Sequence, residues 1–132
     1  MINKYTDYEF YAITYKGNMP EDDFDRLVIR ASYEIRDRIF NRDITDFEDE
    51  VQMATCSVAD VLNEIEQIEQ RKANLISDNK VIASEQVADL SRTYANVSNI
   101  KDLDDQISNL KIKKEEEIKK YLLSTGLMYR GV

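Results

Sequence analysis

Apolar residues in this chain fall into three runs with helical spacing, set apart by short polar breaks. In the first, Phe24, Leu27, Val28, Ala31, Ile35 and Ile39 recur at steps of three and four, the spacing of one helix face. This predicts a helix over about 20–40. Glu21, Asp22, Asp23 and Asp25 crowd its start, where carboxylates meet the positive end of the helix dipole, and Arg36, Arg38 and Arg42 gather towards the opposite end. In the second run, Phe47, Val51, Ala54, Val58, Val61, Leu62, Ile65 and Ile68 keep the period, which predicts a central core helix reaching roughly Lys72. Its outer face carries Glu64, Glu66, Glu69 and Arg71. In the third, Leu103, Ile107, Leu110, Ile118, Tyr121 and Leu122 predict a last helix that begins near 99–102 and stops at Gly126. Lys114 interrupts that stripe, and the charged run Lys111–Lys120 reads as solvated surface.

The segments between these runs carry their own signals. Thr6 with Glu9, and Thr45 with Glu48, have the spacing of capping boxes. The first predicts a short N-terminal helix to about Tyr15, dense in aromatics at Tyr5, Tyr8, Phe10, Tyr11 and Tyr15. Gly17 to Pro20 breaks it, with Gly17 supplying a positive φ and Pro20 fixing the start of the next helix. From Asn74 to Asn99 the period fades into Ser, Asn, Asp and Thr, which predicts an extended arm or β-hairpin at about 80–96. The expected fold is therefore all-α: an antiparallel bundle of three long helices plus a short N-terminal helix, with that arm, in a single domain over 1–132. Residues 127–132 form an apolar C-terminal tail.

Composition narrows the chemistry. Only three glycines and one proline occur, which suits long helices better than strands and turns. The formal net charge of −8 disfavours tight nucleic-acid binding, which depends on cations neutralising phosphates. Residues 1–50 hold 13 acids against 7 bases, so the acidic excess lies towards the start. No apolar stretch nears the ~20 residues of a membrane span, nothing at the start reads as a signal peptide, and one cysteine cannot make a disulfide framework. These features fit synthesis in the cytoplasm.

Without histidine, Ser-His-Asp and Cys-His catalysis and histidine-bearing metal sites are excluded. Cys56 sits within a helical pattern and reads as core packing. Asp102, Asp104 and Asp105 resemble part of a calcium loop but lack its glycine and terminal glutamate, and read as caps of the last helix. Glu66 and Glu69 lie one turn apart, as in helical metal-dependent nucleotide hydrolases. That chemistry needs a second carboxylate pair, which Glu115–Glu117 does not convincingly supply. No catalytic, cofactor or metal residue is expected.

Several stretches stand out together: Tyr8-Glu9-Phe10-Tyr11, Tyr15-Lys16-Gly17-Asn18 and Pro20-Glu21-Asp22-Asp23-Phe24 at the start, then Leu27 with Arg30-Ala31-Ser32. Val51 to Ala59, Ser84-Glu85-Gln86-Val87 through Ser91 to Tyr94, and the ending from Tyr121-Leu122 to Gly131 follow in order. Together they resemble the head–tail connector (adaptor, head-completion) family of phages and prophages of Gram-positive bacteria. Val51 to Ala59 is similar to the family's central helix, and Ser84 to Tyr94 to its middle loop, where Ala88 and Leu90 replace the expected Gly and Tyr. The ending is the most specific match. The resemblance implies a homo-oligomeric ring, twelvefold, docked beneath the portal protein at the head–tail interface of the virion. Such a ring would continue the DNA channel without sequence-specific binding and offer a docking surface to a tail-side connector or stopper protein. It implies a portal or subunit interface at Leu127, Met128, Tyr129 and Arg130, and a subunit-contact arm at Ser84, Glu85, Val87, Leu90 and Tyr94. Two other readings stay open: a helical homo-oligomeric adaptor or regulator unconnected with virions, and the carboxylate-based hydrolase.

Overall fold

The computed structural model describes the backbone of residues 4–40, 42–84 and 90–128, and the side chains of these residues apart from 78–84 and 90–98. The fold is all-α. Three long helices, α1 (Glu21–Ile39), α2 (Glu48–Ser84) and α3 (Leu90–Leu122), are accompanied by a π-helical segment at Phe10–Tyr15 and 3₁₀ turns at Thr45–Phe47 and Leu123–Thr125. There is no strand among the described residues. The chain divides into two compact units: one comprises the residues up to Asn63 with those from Ile112 onward, the other Glu64–Lys111. Both long helices α2 and α3 therefore contribute to each unit.

The first unit has a core of α1, the first half of α2, the end of α3 and the π-helical segment. Every position of the α1 stripe, from Phe24 to Ile39, is fully buried, as are Val51, Ala54, Val58, Ile118 and Leu122. Tyr11 supplies the largest side chain from the N-terminal segment, its ring 4.6 Å from that of Phe24 and stacked 5.6 Å from that of Tyr15. Its hydroxyl donates to Asp60 Oδ1 at 2.6 Å and accepts the Met19 N–H at 2.9 Å, so the buried phenol is satisfied on both sides.

Local details differ from the motif reading. Asp7, not Thr6, receives the Phe10 N–H at the start of the N-terminal segment; the Thr6 hydroxyl turns instead to Gln52 Oε1. At the second expected capping box, Asp43 Oδ1 accepts both the backbone N–H and the hydroxyl of Thr45, an Asx-type turn that leads into 3₁₀ geometry. In both places an aspartate carboxylate makes the local contact: Asp7 lies one residue after Thr6, and Asp43 two residues before Thr45. The positive φ in the break belongs to Lys16, at 64°, rather than to Gly17. Gly17 is required for space: a Cβ there would lie 2.0 Å from Tyr11 Cζ.

In the second unit, α2 and α3 run antiparallel as a helical hairpin. Ile65, Ile68, Leu103 and Ile107 are buried, and Lys72 Nζ meets Asp104 Oδ1 at 2.7 Å. The hairpin corrects the expected arm. Residues 80–84 lie in α2 and 90–96 in α3, so these parts are helical rather than extended, while 85–89 fall outside the described residues. A two-helix hairpin buries one narrow seam per helix, so the wide apolar stripe of a bundle helix is missing. The seam persists as a spacing of three and four, in Ile65, Ile68, Lys72 and Leu75 on α2 and Ile100, Leu103, Ile107 and Leu110 on α3. Asp102, Asp104 and Asp105 are consequently mid-helix residues and not caps.

Candidate functional site

The C-terminal turn is built from a cap and an arginine clamp. Gly126, at φ 78°, ends the 3₁₀ turn that follows α3, as its position predicts. The Thr125 hydroxyl donates to Leu122 O, and its oxygen accepts the Leu127 N–H at 3.1 Å. Arg42, just beyond α1, donates from Nη1 to the carbonyls of Gly126 and Leu127 at 3.3 and 3.1 Å. Leu127 is 6% exposed and joins the core of the first unit, with Met128 packed beside it. Leu127, one of the residues expected at a portal or subunit interface, thus has its side chain in the core of the first unit. Tyr129 and Arg130 lie outside the described residues.

Of the expected arm residues, Ser84 is the last of α2, Leu90 the first of α3, and Tyr94 one turn further on. Glu85 and Val87 lie outside the described residues. The backbone thus brings Ser84 and Leu90 to the same end of the second unit, around the connection between its helices.

The charged run of α3 keeps an exposed face at Lys111, Lys113, Glu116, Lys119 and Lys120, while three of its residues turn towards α1 and α2. Lys114 Nζ pairs with Glu34 Oε1 at 2.6 Å, Glu115 accepts a fork from the Arg38 guanidinium, and Glu117 Oε2 accepts the Ser57 hydroxyl at 3.1 Å. Side-chain exposure is 14% at Lys114 and 25% at Glu34, low enough for the pair to specify how α3 lies against α1.

The exposed large apolar residues include two outward lines of the first unit, beside Ile13 on the π-helical segment at 65% and Ile76 in the second unit at 38%. Ile29, Tyr33 and Phe40 are 39%, 44% and 42% exposed on α1 and its cap; Ile112 and Leu123, on α3 and the turn after it, are 60% and 67% exposed. Arg36 lies over the Tyr33 ring, 4.8 Å from its centroid. The sequence held this signal. Ile29, Tyr33 and Phe40 are out of phase with the core stripe of α1, yet only the in-phase residues define a core. Arg42 was legible only as a cation near a helix end, because its carbonyl partners are 84 and 85 residues away.

Cys56 is buried, and burial pushes its thiol up to about 12, far from a thiolate at neutral pH. Among the described residues, no group of three or more acidic or Cys side chains is placed to hold a metal ion. Open surface clefts are present, one of them holding about 610 Å³ between Lys4–Asp7, Ile44, Glu48 and Gln52. No helix among the described residues is long and apolar enough to cross a membrane. Compared with protein-family models, curated proteins and solved structures, the chain matches none.

Proposed function

We propose that the chain is a structural subunit of a phage or prophage head–tail connector, forming a ring beneath the portal that continues the DNA channel and receives the tail. The sequence resemblance motivates this reading. The observation that carries it is the placement of exposed apolar side chains along two separate helices of one unit. A ring of identical subunits needs two different surfaces on each copy, one for each neighbour, and contiguous exposed apolar residues commonly mark such contacts.

Within this reading, the end of the second unit near Ser84, Glu85, Val87, Leu90 and Tyr94 contacts a neighbouring subunit or the portal. Because Leu127 is committed to the core, the portal grip of the C-terminal segment falls to Met128, Tyr129 and Arg130. Tyr and Arg are frequent interface anchors.

The test is mass spectrometry and imaging of particles produced by cells that carry the gene, with the chain labelled. It should be present in particles and located between head and tail. Absence from particles that contain portal and tail proteins would overturn the reading and leave the helical self-assembling adaptor outside virions, which the same exposed helices also favour.

A further inference from the structure

The two exposed lines of the first unit share one spacing. On α1 and its cap, Ile29, Tyr33, Arg36 and Phe40 follow steps of four, three and four; on α3 and the turn after it, Ile112, Glu116, Lys119 and Leu123 follow the same steps. At 1.5 Å per residue, each line spans about 16 Å, with an exposed apolar residue at both ends. The α1 line also turns away from the flank that meets α3 in the same copy. Glu34 and Arg38 take α1 to α3, whereas Tyr33 is rotated about 100° from Glu34, the angle between successive helix positions.

We propose that α1 of one copy docks antiparallel on α3 of a second copy, through these two lines. Antiparallel, Ile29 meets Leu123 and Phe40 meets Ile112, while Arg36 faces Glu116 and Tyr33 faces Lys119. The middle of the contact is then an opposite-charge pair beside a cation over an aromatic face. Parallel docking sets Arg36 against Lys119 and loses both, so charge selects the direction. The stacking of Arg36 over Tyr33 already restricts the guanidinium on the outer face in the single copy, which lowers the ordering cost of docking. Because the two surfaces differ, each docked copy leaves one of each kind open, and addition continues until a ring closes. The inference deepens the connector reading and rests on it only for the need of a contact between unlike surfaces.

The test uses the full chain. Purified Ile29→Cys and Leu123→Cys proteins, mixed and oxidised, should cross-link to each other, and Ile29→Cys with Ile112→Cys much less. Cys56 is fully buried and does not compete. Arg36→Glu and Glu116→Arg should each weaken self-association about tenfold or more by sedimentation, and the two together should restore it. Helical content and melting should stay unchanged in Glu116→Arg, which is exposed, should Arg36→Glu disturb the fold. A chain that remains monomeric at all concentrations, or whose association ignores both charge changes, overturns the proposal. Assembly at the head–tail junction that ignores the swap overturns this contact alone; swap-dependent assembly by a chain absent from particles overturns the connector alone.

Discussion

Lys114 Nζ lies 2.6 Å from Glu34 Oε1, joining α3 to α1 across eighty residues of sequence. The other oxygen of that carboxylate, Oε2, is buried and has no hydrogen-bond partner among the described residues. Lys114 is therefore the group that makes a charged Glu34 tolerable at this depth. Lys114→Met should destabilise the protein by about 1–3 kcal/mol, below the range for a fully buried pair because both side chains keep some solvent. The double variant Glu34→Met with Lys114→Met should recover part of that loss, since no lone charge remains. Chemical denaturation of the three proteins reads both effects, and a double variant no more stable than Lys114→Met would show that Glu34 is not stranded.

The same pair shows where sequence legibility ends. α1 was readable because its six core residues make one wide stripe, and the start of α2 for the same reason. Lys114 sat in a core stripe and looked like an interruption, because the partner that turns it inward is distant in the chain. The hairpin is hidden in the sequence for the opposite reason. Its seam is narrow, with Lys72 at a seam position, and a long polar helix resting on one neighbour resembles a loop when only hydrophobic density is counted. Among the candidate site residues, the stop at Gly126 was legible from local backbone chemistry. The burial of Leu127 was not, since it depends on Arg42 and on the core of α1.

The core assignment gives a direct stability prediction. Leu62 is 3% exposed and Leu127 6% exposed, both within the same cluster. Leu62→Ala should cost about 2–5 kcal/mol, and Leu127→Ala about 2–3 kcal/mol because it closes the core from a chain end. Truncation after Gly126 should therefore lower the melting temperature. A truncated chain as stable as the full one would place Leu127 on the surface.

Alkaline pH should weaken the first unit. Burial raises the ionisation of the Tyr11 and Tyr15 phenols above the ordinary 10.0, with Asp60 adding to the rise, and that of the Cys56 thiol from 9.0 to about 12. The unfolded chain then loses these protons first, so stability is level below about pH 9 and falls as pH climbs through 9–10 towards 12. Urea titrations at successive pH values should show this decline. Tyr15→Phe should make it shallower; an unaltered slope would mean that Tyr15 ionises as freely folded as unfolded.

Lys16 offers a stabilising change. It is exposed and holds φ 64°, a left-handed conformation that a Cβ disfavours. Lys16→Gly should raise stability by about 0.5–1 kcal/mol, the relief of strain partly offset by a freer unfolded chain. Gly17→Ala should act oppositely and far more strongly, through collision with the Tyr11 ring. Thermal melts of the two variants should move in opposite directions.

The sealed position of Cys56 makes the protein its own chronometer. It is the one thiol in the chain, it is fully buried in the first unit, and a thiol reagent can meet it only when that unit opens. Under native conditions with excess reagent, the labelling rate therefore measures how often the first unit comes apart, without any engineered probe. Helical signal reports on both units together. Comparing the two clocks would tell whether the hairpin of Glu64–Lys111 unravels with the first unit or on its own schedule.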